Sequence, residues 1–382
     1  MSHRLDIDAG LLTRVNKALD QIRAGRMVIL VDDEDRENEG DLTMAAEKVT
    51  PEAINFMAVN GRGLICLALY EELVDALELP MMQAPGRSGP PLGTAFTVSI
   101  EARTGVTTGI SAADRAHTIR TAVRPDVKPG DLVTPGHVFP LRARRGGVLV
   151  RTGQTEGSVD LARLAGFAPA GVICEIMNDD GTMARKPDLE RFGERHRLAI
   201  LTIADLIQYR MQTERLVRRV GEQRLTLDVT GTVWKAIVYE VTTEPRQFLA
   251  LVKGELSGSE PVLARVHGGS VLSDVFSSTE SDGGKNLREA LVAIERAGKG
   301  VCVYLPSDRD LGTELRMVTD VHARLGGSAG SPLREFGLGA QVLVDLGLHQ
   351  IRLLSNSPRK IANLAGFGLQ VVERVPLVSM QR

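Results

Sequence analysis

The sequence predicts a two-domain protein of the α/β (α+β) class. With 382 residues, the chain is long enough for two domains of ordinary size, each with its own hydrophobic core. In the first half, apolar runs of strand length alternate with helical periodicities, whereas strand-like runs dominate the start of the second half. We therefore expect an N-terminal mixed-sheet α/β domain followed by an α+β domain.

The composition excludes several classes of protein. Hydrophobic residues make up 43% of the chain, charged residues 25%, and the formal net charge is −2, which gives no electrostatic case for binding nucleic acid or an anionic membrane. No apolar run approaches the roughly 18 residues of a membrane-spanning helix, and residues 1–8 lack a signal-peptide core. We expect a cytoplasmic protein with neither nucleic acid nor membrane as a partner.

The cysteines predict neither a disulfide framework nor a common zinc site. Cys66, Cys174 and Cys302 are far apart in sequence and have aliphatic neighbours, which is typical of buried, reduced thiols. No Cys-x-x-Cys or His-Glu-x-x-His spacing occurs.

The elements of the first half follow from periodicity and capping signals. Helices are predicted for residues 11–24, after the cap Thr50-Pro51, after the capping box Ser111-x-x-Asp114, and for residues 158–164. Strands are predicted for residues 28–31, 64–69, 96–101, 148–151 and 172–177. Residues 80–94 are rich in Pro and Gly and predict a loop able to cover a site.

A basic segment separates the two halves. Residues 205–222 keep a helical pattern but carry several arginines and few core positions. We therefore expect a basic helical linker at 209–221, between a domain at 1–208 and another at 222–382. Beyond the linker, strands are predicted for residues 225–229, 233–241, 248–252 and 300–305, and a helix for residues 286–297.

The run that follows the first strand, Asp32–Asp41, carries seven carboxylates in ten residues. Such a cluster at a strand end lies where α/β sheets bind ligands. Neighbouring carboxylates raise one another's pKa, so a divalent metal or proton transfer is one explanation, and a solvated acidic turn is the other. Arg36 as a counter-charge and Gly40 as a close-approach position favour a ligand site. A calcium loop is excluded, because the twelfth position is Met44 or Thr43 rather than Glu.

Two further stretches have the form of anion sites. The helix that Ser111 opens presents free N-terminal amides, which suit a phosphate. A strand ending at Arg151, the turn Thr152–Thr155 and the following helix form a possible phosphate cradle. Glu175 lies in an otherwise apolar strand, where an acid is either functional or a paired structural group.

The acidic run, followed by Leu42, resembles the signature of 3,4-dihydroxy-2-butanone 4-phosphate synthase, an enzyme of riboflavin biosynthesis. The resemblance covers roughly residues 10–210. It continues through Gly105–Arg115, Pro135–Leu141, Asp160–Gly166 and the segment from Cys174-Glu175 to Met183-Ala184. From about Gly221 the chain resembles GTP cyclohydrolase II, which gives the fused layout known in that pathway.

This resemblance implies that D-ribulose 5-phosphate, a sugar phosphate, is converted to 3,4-dihydroxy-2-butanone 4-phosphate and formate, with Mg²⁺ or Mn²⁺. Such a reaction needs a hard cation at the sugar oxygens and groups that move protons. The implied catalytic residues are Glu37, Asp41, His137 and Glu175. The implied substrate-binding residues are Arg36, Glu37, Asp41, Arg151, Thr152, Gly153, Gln154, Thr155 and Glu175. The implied metal ligands are Glu37 and Gln154.

Gln154 departs from the family, which usually has a metal-ligating His at this position of the turn. A Gln carbonyl oxygen is an acceptable ligand for Mg²⁺ or Mn²⁺, since both favour oxygen donors. A water-bridged contact is the alternative. His137, which follows Pro-Gly, has an ordinary explanation as a hydrogen-bonded turn residue.

The second domain lacks the zinc ligands of the family that it resembles. In GTP cyclohydrolase II three cysteines hold the zinc, and Ser270, Ser281 and Gly283 take their places here. We therefore expect no zinc and no GTP hydrolysis. Two family acids are replaced as well, by Gly269 and Pro332. The basic residues Arg265, Arg309, Arg334 and Lys360 remain, so this domain either binds a nucleotide or is purely structural.

Two alternatives to a monofunctional synthase remain open. One is a non-catalytic, ligand-binding regulator with both sites degenerate, which Gln154 supports best. The other is a bifunctional enzyme that also hydrolyses GTP, against which the missing cysteines argue. The resemblance also implies a homodimer whose active site is completed across the interface.

Overall fold

The computed structural model describes residues 9–34, 36–83, 93–258, 260–307, 310–319, 330–356 and 368–377. They form two compact units, one of residues 9–209 and one that begins at Arg210. Each unit contains a seven-stranded sheet. The prediction of a two-domain α/β (α+β) fold is confirmed. In the parts of the chain described, no helix is long and apolar enough to cross a membrane.

The first unit is a mixed sheet with helices on both faces. Its strands are β1 (Val28–Val31), β2 (Gly40–Ala45), β3 (Cys66–Leu69), β4 (Ile100–Ala102), β5 (Leu132–Arg142), β6 (Ala170–Glu175) and β7 (Ala199–Thr202). Its helices are α1 (Ala9–Arg23), α2 (Pro51–Phe56), α3 (Glu71–Ala76), α4 (Ala112–Ala122), α5 (Gln154–Ala165), α6 (Lys186–His196) and α7 (Ile203–Thr213). The strand order is β4-β5-β3-β6-β2-β1-β7. The β1–β7 and β3–β5 pairs are parallel and the other pairs are antiparallel.

Burial on both faces explains why β1 is uniformly apolar. Ile29 belongs to the core cluster that includes residues of α2, α4 and α6. Leu30 points to the other face, where α5 packs so closely that a Cβ on Gly157 would lie 2.6 Å from the Leu30 side chain. A strand covered on both sides has no polar face, so its sequence does not alternate.

The predicted caps are present. Thr50 Oγ1 accepts the backbone N–H of Ala53 at 3.2 Å, and Ser111 Oγ accepts that of Asp114 at 3.1 Å. Asp114 departs from a reciprocal capping box, because its carboxylate accepts from Thr107 and from the backbone N–H of Gly109. The Asp114 side chain thereby fixes the loop that precedes α4.

Some local predictions need correction. The strand expected at 148–151 is wrong: Gly147–Leu149 form one tight helical turn, with Val148 N–H donating to Asp160 Oδ2 at 2.9 Å. The linker expected to be helical at 209–221 is helical only to Thr213, and a strand begins at Val217. The strand expected at 96–101 is confined to β4, and the helix expected at 158–164 begins already at Gln154. The loop expected at 80–94 lies partly outside the described residues.

The second unit combines an antiparallel and a parallel half. Its strands are β8 (Val217–Leu227), β9 (Thr232–Val241), β10 (Gln247–Lys253), β11 (Val262–Gly268), β12 (Gly300–Leu305), β13 (Gln350–Leu354) and β14 (Gln370–Val375). Its helices are α8 (Gly283–Ala297), α9 (Leu311–Thr319) and α10 (Gly330–Asp345). The order is β14-β13-β11-β12-β10-β9-β8, antiparallel from β8 to β12 and parallel from β12 to β14.

All three cysteines are free and buried, as predicted. Burial raises the pKa of each thiol, to about 12 for Cys174 and Cys302. Such thiols stay protonated at neutral pH and are poor nucleophiles and metal ligands.

Candidate active site

A buried acid, Asp41, and a partly buried one, Glu175, lie side by side in the first sheet. Asp41 on β2 pairs in register with Glu175 on β6. Burial raises the pKa of Asp41 well above its usual range, and the carboxylates of Glu175, Glu37, Glu39 and Asp32 raise it further. Carboxyl groups whose pKa is raised in this way are suited to exchanging protons near neutral pH.

Glu175 is held by the neighbouring backbone. Its Oε2 accepts the N–H of Leu64 at 2.8 Å, and a Cβ on Gly63 would lie 2.5 Å from the same oxygen. Burial raises the pKa of Glu175, while hydrogen bonds from backbone N–H groups, including that of Leu64, partly offset the rise. Gly63 is therefore required for the close approach of this segment to the carboxylate.

The acidic loop is organised by Asp32. One of its oxygens accepts the N–H of Glu39 at 2.8 Å, and the other accepts the N–H of Glu37 at 3.0 Å. The loop is braced from outside by Arg185, whose guanidinium donates to the carbonyl oxygens of Glu37, at 2.6 Å, and of Asn38. Sequence reasoning missed both roles, because they depend on contacts that no local pattern shows.

The side chains of the two predicted metal ligands contact the same guanidinium group, that of Arg36. Arg36 Nη1 donates to Glu37 Oε2 at 2.6 Å and to Gln154 Oε1 at 3.0 Å. Glu37 and Gln154 therefore present oxygens to a common point. This donor set fits Mg²⁺, which takes one or two protein carboxylates and completes its shell with water and substrate oxygens. Among the described residues, no three His, Cys, Asp or Glu side chains form a ready metal cluster.

Two guanidinium groups border the predicted phosphate cradle. A Cβ on Gly153 would lie 2.6 Å from Arg151 Nη1 and 3.0 Å from Arg36 Nη2, so both guanidinium groups lie next to this glycine. Helix α5 begins at Gln154, and its first amides are free to bind an anion. Thr155 is buried in this first turn, and Arg151 is oriented by the buried Glu156, at 2.7 Å.

His137 lies apart from these acids within one chain. Strands β3 and β6 separate β5, which carries His137, from β2, which carries Asp41. Three strand spacings place the two backbones about 14 Å apart. Residues 133–138 form a bulge, since Ile100 and Glu101 of β4 pair with Val138 and Val133. The His137 side chain on this bulge is 44% exposed.

In the second unit, serine hydroxyl groups lie near the positions that correspond to the zinc cysteines of GTP cyclohydrolase II. Ser270 Oγ accepts the N–H of Ser273 at 3.2 Å and donates to the buried carboxylate of Glu314. A Cβ on Gly283 would lie 2.8 Å from Ser273 Oγ and 3.4 Å from Ser281 Oγ. Ser281 and Gly283 thus lie close together, Ser270 is linked to them through Ser273, and none of the three positions carries a thiolate.

Two of the basic residues retained in the second unit, Arg265 and Arg334, have internal partners. Arg265 donates to the carbonyl oxygen of Leu354 at 3.0 Å, and burial lowers its pKa. Arg334 forms an ion pair with Glu244. A Cβ on Gly269 would lie 2.5 Å from Tyr304 Oη, so the tyrosine occupies the space of a side chain there. Arg309, Lys360 and the side chain of Pro332 lie outside the described residues.

Comparison with known proteins supports the assignment of the two halves of the chain to two protein families. Residues 16–209 match 3,4-dihydroxy-2-butanone 4-phosphate synthase, and residues 218–376 match GTP cyclohydrolase II. The riboflavin biosynthesis protein RibBA of Aquifex aeolicus is 52% identical over 376 residues, which cover 95% of this chain and 92% of that protein. RibBA of Bacillus cereus is 47% identical, with 95% and 93% covered.

Solved structures of 3,4-dihydroxy-2-butanone 4-phosphate synthases superpose on this chain. RibBX, a two-domain 3,4-dihydroxy-2-butanone 4-phosphate synthase from A. baumannii, superposes with a TM-score of 0.77 at 42% identity, covering 96% of this chain and 99% of that one. A 3,4-dihydroxy-2-butanone 4-phosphate synthase in complex with two magnesium ions superposes with a TM-score of 0.50 at 42% identity, covering 52% of this chain and 97% of that one. The chain therefore belongs to the 3,4-dihydroxy-2-butanone 4-phosphate synthase family, in the form fused to a GTP cyclohydrolase II domain.

Proposed function

We propose that this protein converts D-ribulose 5-phosphate to 3,4-dihydroxy-2-butanone 4-phosphate and formate in riboflavin biosynthesis, assisted by Mg²⁺ or Mn²⁺. The observation that carries the proposal is the pair Asp41 and Glu175, neighbouring acids whose pKa values are raised by burial. The pair lies at the same end of the strands as the acidic loop. This loop contacts the start of α5 through the hydrogen bond from Arg36 to Gln154. Proton-transfer groups and an anion site on one small surface suit a phosphorylated sugar.

The phosphate would be bound by the electropositive end of the site. Arg151, the turn Thr152–Thr155 and the first amides of α5 supply charge and hydrogen-bond donors there. Arg36, whose guanidinium also lies next to Gly153, would engage the sugar hydroxyls. Glu156 keeps the Arg151 guanidinium in position through their 2.7 Å contact.

The carboxylates would move protons along the sugar. Asp41 and Glu175 would exchange protons with the substrate together, because burial raises the pKa of both and the Glu175 carboxylate raises that of Asp41 further. Glu37 and Gln154 would hold the metal, which supplies a Lewis acid for the sugar carbonyl when bound. Binding would require Arg36 Nη1 to leave the two oxygens that it now contacts.

His137 would complete the acid and base set from a second copy of the chain. Within one chain it is about 14 Å from Asp41 along the sheet, and it is exposed on a bulge. A homodimer that brings the bulge of one chain to the acids of the other accounts for both observations. Mixing inactive His137→Ala and Glu175→Gln proteins would then restore part of the activity.

For the second unit we propose a domain without zinc and without cyclohydrolase activity, at 222–382, fused to a synthase domain at 1–208. Hydroxyls at Ser270 and Ser281 and the bare backbone at Gly283 supply no thiolate for zinc. Nucleotide binding would rest on residues other than Arg265, since that guanidinium already donates to the carbonyl oxygen of Leu354. The protein is proposed to act in the cytoplasm.

The decisive experiment is turnover of ribulose 5-phosphate by the purified full-length protein, with formate measured across a titration of Mg²⁺ and Mn²⁺. We expect formate only when metal is present. Glu37→Ala is expected to abolish it, whereas Glu34→Ala, at an exposed position of the same loop, is the matched control. No formate at millimolar metal would favour a ligand-binding regulator instead.

A further inference from the structure

A buried acid that the sequence analysis did not single out lies against His137. Glu101 is the middle residue of β4, and its side chain is 11% exposed. Its Oε2 lies 2.6 Å from Nδ1 of His137. Among the described residues nothing hydrogen-bonds the other ring nitrogen, Nε2. The imidazole is therefore anchored through one nitrogen, while the other remains available.

A chain of hydrogen bonds fixes the direction of this contact. Thr118 on α4 is fully buried, and its hydroxyl accepts the N–H of Ala102 at 3.0 Å. The hydroxyl proton is then left for Oε1 of Glu101, 2.9 Å away. With one oxygen receiving this proton, the Glu101 carboxylate is oriented to accept a second proton, from Nδ1–H of His137, at Oε2.

The contact is covered by backbone. A Cβ on Gly109 would lie 1.9 Å from Glu101 Oε2 and 2.4 Å from His137 Nδ1, so a glycine is needed there. Gly109 has a φ of +92° and is held by its N–H, which donates to Asp114 Oδ2 at 3.0 Å. Because this packing limits the access of water, the hydrogen bond between the two side chains is strengthened.

We infer that Glu101 is a positioning residue, which holds His137 as the Nδ1–H tautomer and so keeps Nε2 as the proton-accepting nitrogen. A neutral imidazole carries one N–H, and a carboxylate that accepts at Nδ1 decides where that proton resides. The inference rests on the proposed function, in which His137 exchanges protons with the substrate. Glu101 itself is covered by Gly109 and takes no part in that exchange.

Glu101→Gln tests the inference with little change in shape. A Gln amide can turn its NH₂ group toward Nδ1, which forces the proton to Nε2 and blocks the base. We expect long-range ¹H–¹⁵N spectra of the full-length protein, labelled at histidine, to show His137 change from the Nδ1–H to the Nε2–H tautomer. We also expect kcat to fall by about 10²- to 10⁴-fold with KM nearly unchanged.

Matched variants separate positioning from general damage. Glu47→Gln, at an exposed site of the same unit, is expected to change neither the spectrum nor kcat. Glu101→Asp keeps a carboxylate and is expected to retain the Nδ1–H tautomer. In a His137→Ala background, Glu101→Gln is expected to cost nothing more, since the two residues act as a unit.

Two results would overturn the inference: an unchanged tautomer in Glu101→Gln, or a further loss of kcat when Glu101→Gln is added to His137→Ala. The spectrum needs no turnover. If the protein makes no formate but Glu101→Gln still switches the tautomer, the proposed function fails and the positioning by Glu101 stands.

Discussion

Asp32→Asn tests how the acidic loop is held, because the Asp32 carboxylate accepts from three donors of that loop. Its Oδ1 accepts the N–H of Glu39 at 2.8 Å, and its Oδ2 accepts the N–H of Glu37 at 3.0 Å and Nη1 of Arg36 at 2.8 Å. The side chain is fully buried. Asn keeps the shape, and its carbonyl oxygen can still accept from Glu37 N–H and Arg36 Nη1, but as a neutral acceptor. Its NH₂ group then faces the N–H of Glu39.

The cost follows from these contacts. A hydrogen bond to a charged group contributes about 1.5–3 kcal/mol and a neutral one about 0.5–1.5 kcal/mol, so losing one bond and weakening two removes about 3–6 kcal/mol. Part of this is offset, because Asp32 is one of the acids that raise the pKa values of Asp41 and Glu39, and its neutralisation relieves that repulsion. We expect a net loss of roughly 3 kcal/mol in the free energy of local opening, which is about 10²-fold in the opening equilibrium.

Hydrogen exchange measures this directly. In Asp32→Asn, the amides of Glu37 and Glu39 are expected to exchange about 10² times faster, in step with the opening equilibrium. We expect kcat for formate release to fall by about the same factor, since an error of about 1 Å in a catalytic group costs that much. Glu34→Gln, exposed in the same loop, is the control. Unchanged exchange at Glu37 and Glu39 would refute the assigned role of Asp32.

The proposed metal ligand Gln154, the acid Asp41 and the second unit each allow a further test. Gln154→Ala is expected to raise the metal concentration for half-maximal formate release by about 10- to 100-fold. Gln154→His is expected to bind metal but to lose it below about pH 6.5. Unchanged metal dependence in Gln154→Ala would exclude Gln154 as a ligand. Because folding raises the pKa of Asp41, the folded chain holds a proton that the unfolded chain loses above about pH 4. The Tm of the metal-free protein is therefore expected to fall as pH rises from there toward the folded pKa, and less steeply in Asp41→Asn. Metal analysis of protein purified without added metal is expected to find no stoichiometric zinc, since hydroxyls replace thiolates in the second unit.

The fold was largely predictable because its strongest signals are local. The amphipathic pattern of α1, the apolar run of β1 and the cap at Thr50 each act within a few residues. Prediction failed at 148–151, where the glycine at 147 adopts a φ of +65° and Asp160, twelve residues away from Val148, fixes the turn. It failed again after Thr213, where the residues from Val217 onward became β8 because they pair with β9, a strand that follows later in the chain.

The site was predictable only where a motif carries its residues. The acidic run and Glu175 could be singled out, but nothing local shows that Asp41 and Glu175 are opposite one another, since that depends on the register between β2 and β6. The contact of Glu101 with His137 depends in the same way on the bulge between β4 and β5. The roles assigned to these residues stay predictions until the variants are measured.

The two ends of the site differ in the charge that they favour. At Gly153, two guanidinium groups and a helix N-terminus favour an anion, whereas Asp41 and Glu175 are acids that burial pushes toward their neutral forms. Arg36 links the two ends, because it lies beside Gly153 and also contacts Glu37. A substrate with a phosphate at one end and a carbonyl near the other satisfies both demands at once. A cation that replaced Arg36 between Glu37 and Gln154 would free this guanidinium for the substrate, so metal binding and substrate binding are expected to reinforce each other.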